Sequence, residues 1–283
     1  MTAPLWSRLV FRSSRAFSAL DVAQQLVRDE LFFAFLHPNQ RAALTSAAYA
    51  LNSDYVPGGE IFSGGLFSWE KALLEHPKVP KSGRVLLAAA GGGRELGALI
   101  ARGYEVYAFE PVAPFLESAR RVVRGSTSTV IAARYEDLIA RMAGQRGPLD
   151  DCRGKFDFCV LGWGSLSHLT EPHLLVSVLK ALRALAPSAP VMASFLTRSA
   201  GPEATNGGAR MLRRWFRRAV QVAGGGVVPP GLRFLKSAGF LYYFTREELG
   251  MLCAQAGYEI DAFNDGDYPH ALLLPKAVNG GGS

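Results

Sequence analysis

Between Arg84 and Glu110 the chain sets a glycine triplet and a carboxylate at spacings that fit a bound nucleotide cofactor. Gly91 and Gly93 allow the backbone to turn sharply and let a ligand rest against bare amides. Glu110 ends an apolar run, the place from which a carboxylate can accept hydrogen bonds from both hydroxyls of a ribose. Farther along, His168 follows the segment from Phe156 to Gly162, where a neutral imidazole can take a proton near pH 7. A helix-start histidine packed near Thr170 is the plainer alternative for that residue. The chemistry these groups point to is cofactor binding with a proton acceptor close by.

Such groups must be held by strands and helices. Val85 to Ala89 predicts a buried parallel strand, Arg94 to Arg102 a helix stopped by Gly103, and Glu105 to Phe109 the next strand. A dinucleotide fingerprint fails in both registers: started at Gly91 it meets Leu96 at its third glycine, and started at Gly92 it meets Arg94 at its second. Thr129 to Ala132 and the run from Phe156 read as further strands. Leu174, Leu175, Val178, Leu179, Leu182 and Leu185 then recur at helical spacing before Pro187 and the apolar strand Val191 to Phe195. Thr245-Arg-Glu-Glu248 is a capping box ahead of a helix stopped by Gly257. Tyr258 to Phe263 and Ala271 to Leu274, joined by a polar turn, predict an antiparallel hairpin.

Aligned on strand and helix, the turn Ala89-x-Gly91-x-Gly93 resembles motif I of the class I S-adenosylmethionine-dependent methyltransferases, and the later elements extend the resemblance over roughly residues 60–275. It implies an α/β fold: a Rossmann-like, seven-stranded, mostly parallel sheet with helices on both faces and a closing antiparallel hairpin. It also implies an N-terminal helical lid over 1–80 and a methyltransferase domain over 81–283, with an insertion at about 197–240 that carries a basic helix. The implied cofactor is S-adenosylmethionine, with S-adenosylhomocysteine as product. Ala89, Ala90, Gly91, Gly92 and Gly93 then surround its methionine and ribose, Glu110 holds the ribose, and Tyr135 and Glu136 meet the adenine, with Arg134 in place of the commonest acidic residue. Gly162 and Trp163 border the donor methyl and the acceptor. Ala89 departs from the usual first glycine, and keeps the close approach provided its φ is negative.

The implied activity is methyl transfer to an oxygen, nitrogen or sulfur atom of a small-molecule acceptor, with His168 as the candidate base. Two other readings stand beside it: a cofactor-binding regulatory module without turnover, and a methyltransferase acting on RNA or anionic membrane lipid. No Asn/Asp-Pro-Pro-Tyr/Phe follows the fourth strand and no Pro-Cys pair occurs there, so no specific nucleic-acid motif is present. Leu161-Gly-Trp-Gly offers no acidic ligand, and no metal is expected.

Ahead of the cradle, Ser18 to Leu36 and Asn39 to Leu51 read as helices separated by His37-Pro38. Tyr49, Tyr55, Phe67 and Trp69 are candidates for the wall of an acceptor pocket, with ordinary packing as the alternative for each. Glu70 reads as an exposed charge that either contacts the methionine amino group or caps the following helix. In the insertion, Arg210, Arg213, Arg214, Arg217 and Arg218 alternate with Met211, Leu212, Trp215, Phe216, Ala219 and Val222 around one helix. That pattern fits a solvated cover, a clamp for an anionic substrate, or a contact for acidic lipid or nucleic acid.

With 283 residues, 49% hydrophobic and 19% charged, the chain can bury a large core. A net charge of +7 agrees with an acidic partner without identifying one. Leu5 to Phe17 lacks the continuous apolar core of a secretion signal, which predicts a cytoplasmic protein. Cys152, Cys159 and Cys253 are odd in number and scattered, so neither a disulfide framework nor a zinc site is expected.

Overall fold

The computed structural model of the chain describes residues 29–152, 155–198 and 207–277. Its centre is a seven-stranded sheet in the order β3-β2-β1-β4-β5-β10-β9. The strands are β1 (Gly83–Ala88), β2 (Tyr104–Phe109), β3 (Thr129–Ile131), β4 (Phe158–Leu161), β5 (Val191–Ser194), β9 (Tyr258–Asn264) and β10 (His270–Pro275). The first five are parallel, while β10 runs antiparallel to both β5 and β9. The seven strands fall where the sequence places them.

Burial explains the apolar runs. Val85, Leu86, Leu87 and Ala88 are all fully buried because helices cover both faces of the sheet. Alternation along β1 sends Leu86 into one core, with Phe109, Cys159, Leu179 and Leu182, and sends Val85 and Leu87 into the other, with Leu96, Leu99, Val160 and Leu272. The first core is closed by α8 (Pro172–Leu185) and α10 (Arg246–Gln255). As predicted, α10 starts with a capping box in which the Glu248 backbone N–H donates to Thr245 Oγ1 at 3.1 Å. The second core is closed by α5 (Arg94–Ala101) and α6 (Ala113–Val122).

Register fixes where the site must lie. Ala88 pairs with Phe109 of β2 and with Leu161 of β4, so these three strands end level with one another. The glycine turn after β1, Glu110 after β2 and Gly162 after β4 therefore leave the sheet side by side. β1 is also where the strand order reverses, with β2 on one side and β4 on the other, and such switch points open a crevice for a ligand.

Before the sheet, residues 29–35 are helical (α1) and are followed by α2 (Pro38–Ala50), α3 (Glu60–Ser63) and α4 (Ser68–Leu74). The first part of the helix expected from Ser18 lies outside the described residues, as does the Leu5 to Phe17 stretch. Between β5 and α10, the chain adds β6 (Leu196–Thr197), α9 (Gly207–Val222), β7 (Leu232–Leu235) and β8 (Gly239–Phe244). The sequence reading foresaw α9 but not the small sheet β6-β8-β7, in which β6 runs parallel and β7 antiparallel to β8. Phe33 of α1 joins Val228, Leu232, Phe234 and Phe240 in a third, separate cluster. α2 also reaches this sheet: the Phe240 backbone N–H donates to Thr45 Oγ1 at 3.2 Å, and a Cβ on Gly239 would overlap Thr45. Among the described residues no helix is long and apolar enough to cross a membrane.

Candidate cofactor and acceptor site

The turn after β1 is built from left-handed backbone. Gly91 has φ +55° and Gly93 φ +102°, conformations that glycine adopts at no steric cost. Ala89 has φ +54°, so the proviso of a negative φ is not met. The turn leaves β1 at the position where the family motif has glycine, and the backbone keeps the glycine conformation although a methyl group is present. Left-handed geometry costs an alanine roughly 1–2 kcal/mol, partly offset in a glycine variant by the freer unfolded chain. Ala89→Gly is therefore expected to raise stability by about 0.5–1 kcal/mol, read as a higher denaturant midpoint. A lower midpoint would show that the methyl group packs well enough to outweigh the strain.

Each glycine has its own task. A Cβ on Gly91 would meet nothing within 4 Å, which leaves open space beside its Cα, while its N–H is taken up by Glu110. A Cβ on Gly92 would overlap the carbonyl oxygen of Tyr55, so the segment after α2 rests directly on the turn. Gly93 packs against Ala119 and Val122 of α6 and starts α5. Glu110 is buried, and its two oxygens accept backbone N–H bonds from Gly91 and Val112, each at 2.8 Å. Burial pushes its pKa up to about 7, against the pull of those two bonds.

A second charged group lies beside the turn. Arg94 donates from Nη1 to Glu70 Oε2 at 2.6 Å and to the Gly65 carbonyl at 2.8 Å, and from Nη2 to Glu70 Oε1 at 2.7 Å and Glu95 Oε1 at 2.6 Å. Its guanidinium also covers the Phe67 ring at 4.3 Å. Glu70, expected to be exposed, is fully buried: it caps α4 by accepting the Phe67 N–H at 2.6 Å while pairing with Arg94. Of its two expected tasks the structure shows the cap. Glu95 Oε1 further accepts the Trp163 backbone N–H at 3.3 Å, which ties the loop after β4 to the start of α5. Sequence reasoning passed over Arg94 and Glu95. The signal was two charges directly after the glycines, at the start of an otherwise apolar helix.

A cavity of about 230 Å³ opens over these groups. Ala89, Gly91, Gly92, Glu110, Tyr135, Glu136 and Trp163 all line it, as do Arg94 and Glu95. Three expected cofactor residues do not: Ala90 is buried in the core, Gly93 faces α6, and Gly162 sits behind the wall against Ala89 and Glu95. The Tyr135 hydroxyl donates to Ser165 Oγ at 3.0 Å, which ties together two residues of the cavity wall.

The other half of the cavity is aromatic and largely uncharged. Tyr49 and Tyr55 line it together with Phe115, at ring distances of 6.0 and 5.8 Å from that residue. The Tyr49 hydroxyl meets His168 Nε2 at 3.0 Å. Burial lowers the His168 pKa to about 4, with the Phe240 backbone opposing more weakly, and Nδ1 makes no hydrogen bond of good geometry. Burial, followed by the charges of Tyr55 and Glu110, raises the Tyr49 pKa well above the usual phenol range. At the rim, Arg41 of α2 pairs with Glu171 at 2.9 Å. Two of the expected wall residues are absent from the cavity because α4 lies behind the loop after β4. Phe67 packs on Trp163 and Tyr268, at 5.0 and 4.9 Å, and the buried Trp69 stacks on His270 at 4.8 Å. Among the described residues no group of three His, Cys, Asp or Glu side chains gathers as a metal site.

No family model and no curated sequence matches the chain. Solved structures do. The 1,6-didemethyltoxoflavin-N1-methyltransferase of Burkholderia thailandensis, solved with 1,6-didemethyltoxoflavin and S-adenosylhomocysteine, is 19% identical with a TM-score of 0.56, over 86% of this chain and 92% of that one. The PH0226 protein of Pyrococcus horikoshii OT3 is 20% identical with a TM-score of 0.55, over 81% and 99%. An S-adenosylmethionine-dependent methyltransferase from Leishmania major is 16% identical with a TM-score of 0.54, over 85% of each chain. The fold is that of the class I S-adenosylmethionine-dependent methyltransferases.

Proposed function

We propose that the cavity binds S-adenosylmethionine and that the chain transfers its methyl group to an oxygen, nitrogen or sulfur atom of a small organic acceptor, leaving S-adenosylhomocysteine. The observation that carries this reading is one cavity shared by a buried strand-end carboxylate, a glycine turn with open space above Gly91, and a neutral Tyr49–His168 pair. The Burkholderia structure, solved with 1,6-didemethyltoxoflavin and S-adenosylhomocysteine bound, supports it. The bound cofactor supplies an already activated methyl group, so the protein's main task is alignment. Glu110 holds the ribose hydroxyls, the backbone from Ala89 to Gly92 faces the methionine end, and Tyr135 and Glu136 flank the adenine. Trp163 separates the two halves. Tyr49, Tyr55 and Phe115 clamp the acceptor, and the proton it loses passes toward His168.

In this reading residues 1–80 form the lid and 81–283 the catalytic domain, with the insertion at about 197–240. The protein works in the cytoplasm, in keeping with three buried, unpaired cysteines.

Calorimetry tests the donor. S-adenosylmethionine and S-adenosylhomocysteine are expected to bind, and nicotinamide dinucleotides are not. Tight dinucleotide binding with silence toward both sulfur ligands would overturn the proposal. Binding of both sulfur ligands with no turnover on any acceptor would instead favour a regulatory module, in which the departure at Ala89 is a mark of lost activity.

A further inference from the structure

α9 turns the wrong face outward for a helix that only covers a core. Met211, Trp215, Arg218 and Val222 recur at spacings of four, three and four residues and so form one stripe along the helix. The three apolar members of that stripe are 70%, 74% and 90% exposed. The helix is held from its opposite side, where Val220 is buried and Arg217 grips Glu30 of α1 through Nε at 2.9 Å and Nη2 at 2.8 Å. Arg214 and Arg218 are exposed beside the apolar stripe. The side chains of Arg210 and Arg213 lie outside the described part. Beyond the helix, the Gly226 N–H donates to the Ala34 carbonyl at 2.9 Å, which brings Val227, 74% exposed, beside the end of α1, where Phe35 is 53% exposed.

We propose that this face of α9, with Phe35 and Val227, is a docking surface for an anionic phospholipid bilayer. Large apolar side chains flanked by arginines suit a helix lying in the headgroup boundary: the apolar stripe enters the acyl edge and the guanidiniums stay with the phosphates. The net charge of +7 adds long-range attraction to such a surface. A second copy of the chain fits less well, because a two-fold contact through α9 would set the Arg214 and Arg218 of each copy against those of the other. A nucleic acid would reward the arginines but leave Met211, Trp215 and Val222 in water. The face is linked to the acceptor half of the cavity: Phe33 of α1 packs at 5.8 Å on Phe240, which lines the cavity. The inference stands without the methyltransferase reading, since docking needs neither donor nor acceptor.

The test is sedimentation of the full chain with vesicles of phosphatidylglycerol and phosphatidylcholine in equal parts, against vesicles of phosphatidylcholine alone. Binding is expected only to the anionic vesicles and is expected to fall with salt. A blue shift of tryptophan emission should accompany it and disappear in Trp215→Phe. The double variant Arg214→Glu, Arg218→Glu is expected to weaken binding more than about tenfold, and Met211→Ser with Trp215→Ser to weaken it similarly. Both should keep the melting temperature of the parent, since the altered side chains are exposed. Absence of binding to the anionic vesicles, or equal binding to both kinds, would overturn the proposal. So would self-association abolished by the same variants without vesicle binding, which assigns the face to a second copy, or capture of RNA in place of vesicles.

Discussion

His168→Ala is expected to lower kcat by about a hundredfold while leaving the affinity for S-adenosylhomocysteine unchanged. The size follows from what the acceptor must lose. A hydroxyl that gains a methyl group becomes an oxonium, a far stronger acid than an imidazolium, so even a base whose pKa is about 4 can remove its proton. In the proposed relay Tyr49 stands in line, 3.0 Å from His168 Nε2: the acceptor's proton would go to the Tyr49 oxygen as the Tyr49 proton passes to His168. The high phenol pKa means that no tyrosinate accumulates. Tyr49→Phe should then cost about as much as His168→Ala, and the double variant little more than either alone, because the two act as a unit. Losses that multiply would break the relay into two independent contacts. Single losses below tenfold would mean that the acceptor keeps its proton, as an amine does, and that the pair only orients it.

The same geometry sets a pH profile. With its pKa lowered from 6.5 to about 4, His168 is neutral above about pH 5, so kcat should be flat from pH 6 to 8 and fall as the ring protonates. The stability term has the matching sign. The folded state binds the ring proton more weakly than the unfolded state, so this contribution is complete above pH 6.5 and is lost as the pH falls toward 4.

The sheet was legible because each parallel strand is an apolar run closed by a turn residue, and because a carboxylate at the end of β2 is a chemical signal in its own right. Glu110, Gly91 and Gly92 could thus be placed on the cavity, while Gly93 and Gly162 lie outside it. What stayed hidden depends on through-space pairing. Tyr49 and His168 are 119 residues apart, and Arg94 is 24 residues from Glu70. Nothing in one sequence links either pair. For Phe67 and Trp69 the sequence leaves pocket wall and ordinary packing both open, because composition does not tell which way a ring faces, and the structure shows packing. The short strands β7 and β8 were missed for a related reason: Leu232–Leu235 is too brief to show a period, and its partner begins at a glycine. The φ of Ala89 was not legible either, because the turn after β1 dictates it and residue type does not.

Glu110→Ala is expected to weaken S-adenosylhomocysteine binding by about ten- to hundredfold, the roughly 1.5–3 kcal/mol of charge-assisted hydrogen bonds to the ribose. The structure adds a pH dependence. Burial gives the carboxyl a pKa of about 7, against an ordinary 4.5, so it is about half protonated at neutral pH. Two ribose hydroxyls donating to it favour the ionised form, and binding must then release a proton whenever the pH is below that value. Affinity should therefore climb between pH 6 and 8 and level off above, and calorimetry in buffers of different ionisation enthalpy should register the released proton. Folding stability runs the other way: the raised pKa makes this contribution complete below pH 4.5 and lost as the pH rises through 7. Cofactor and proton thus compete for one carboxyl. Glu110→Gln should remove the pH dependence and lose nearly as much affinity as alanine, because its single amide oxygen cannot accept from both Gly91 and Val112 and its NH2 must oppose one of those N–H groups. If affinity is unaltered in either variant while thermal stability falls, Glu110 only braces the turn, and the ribose lies elsewhere in the cavity.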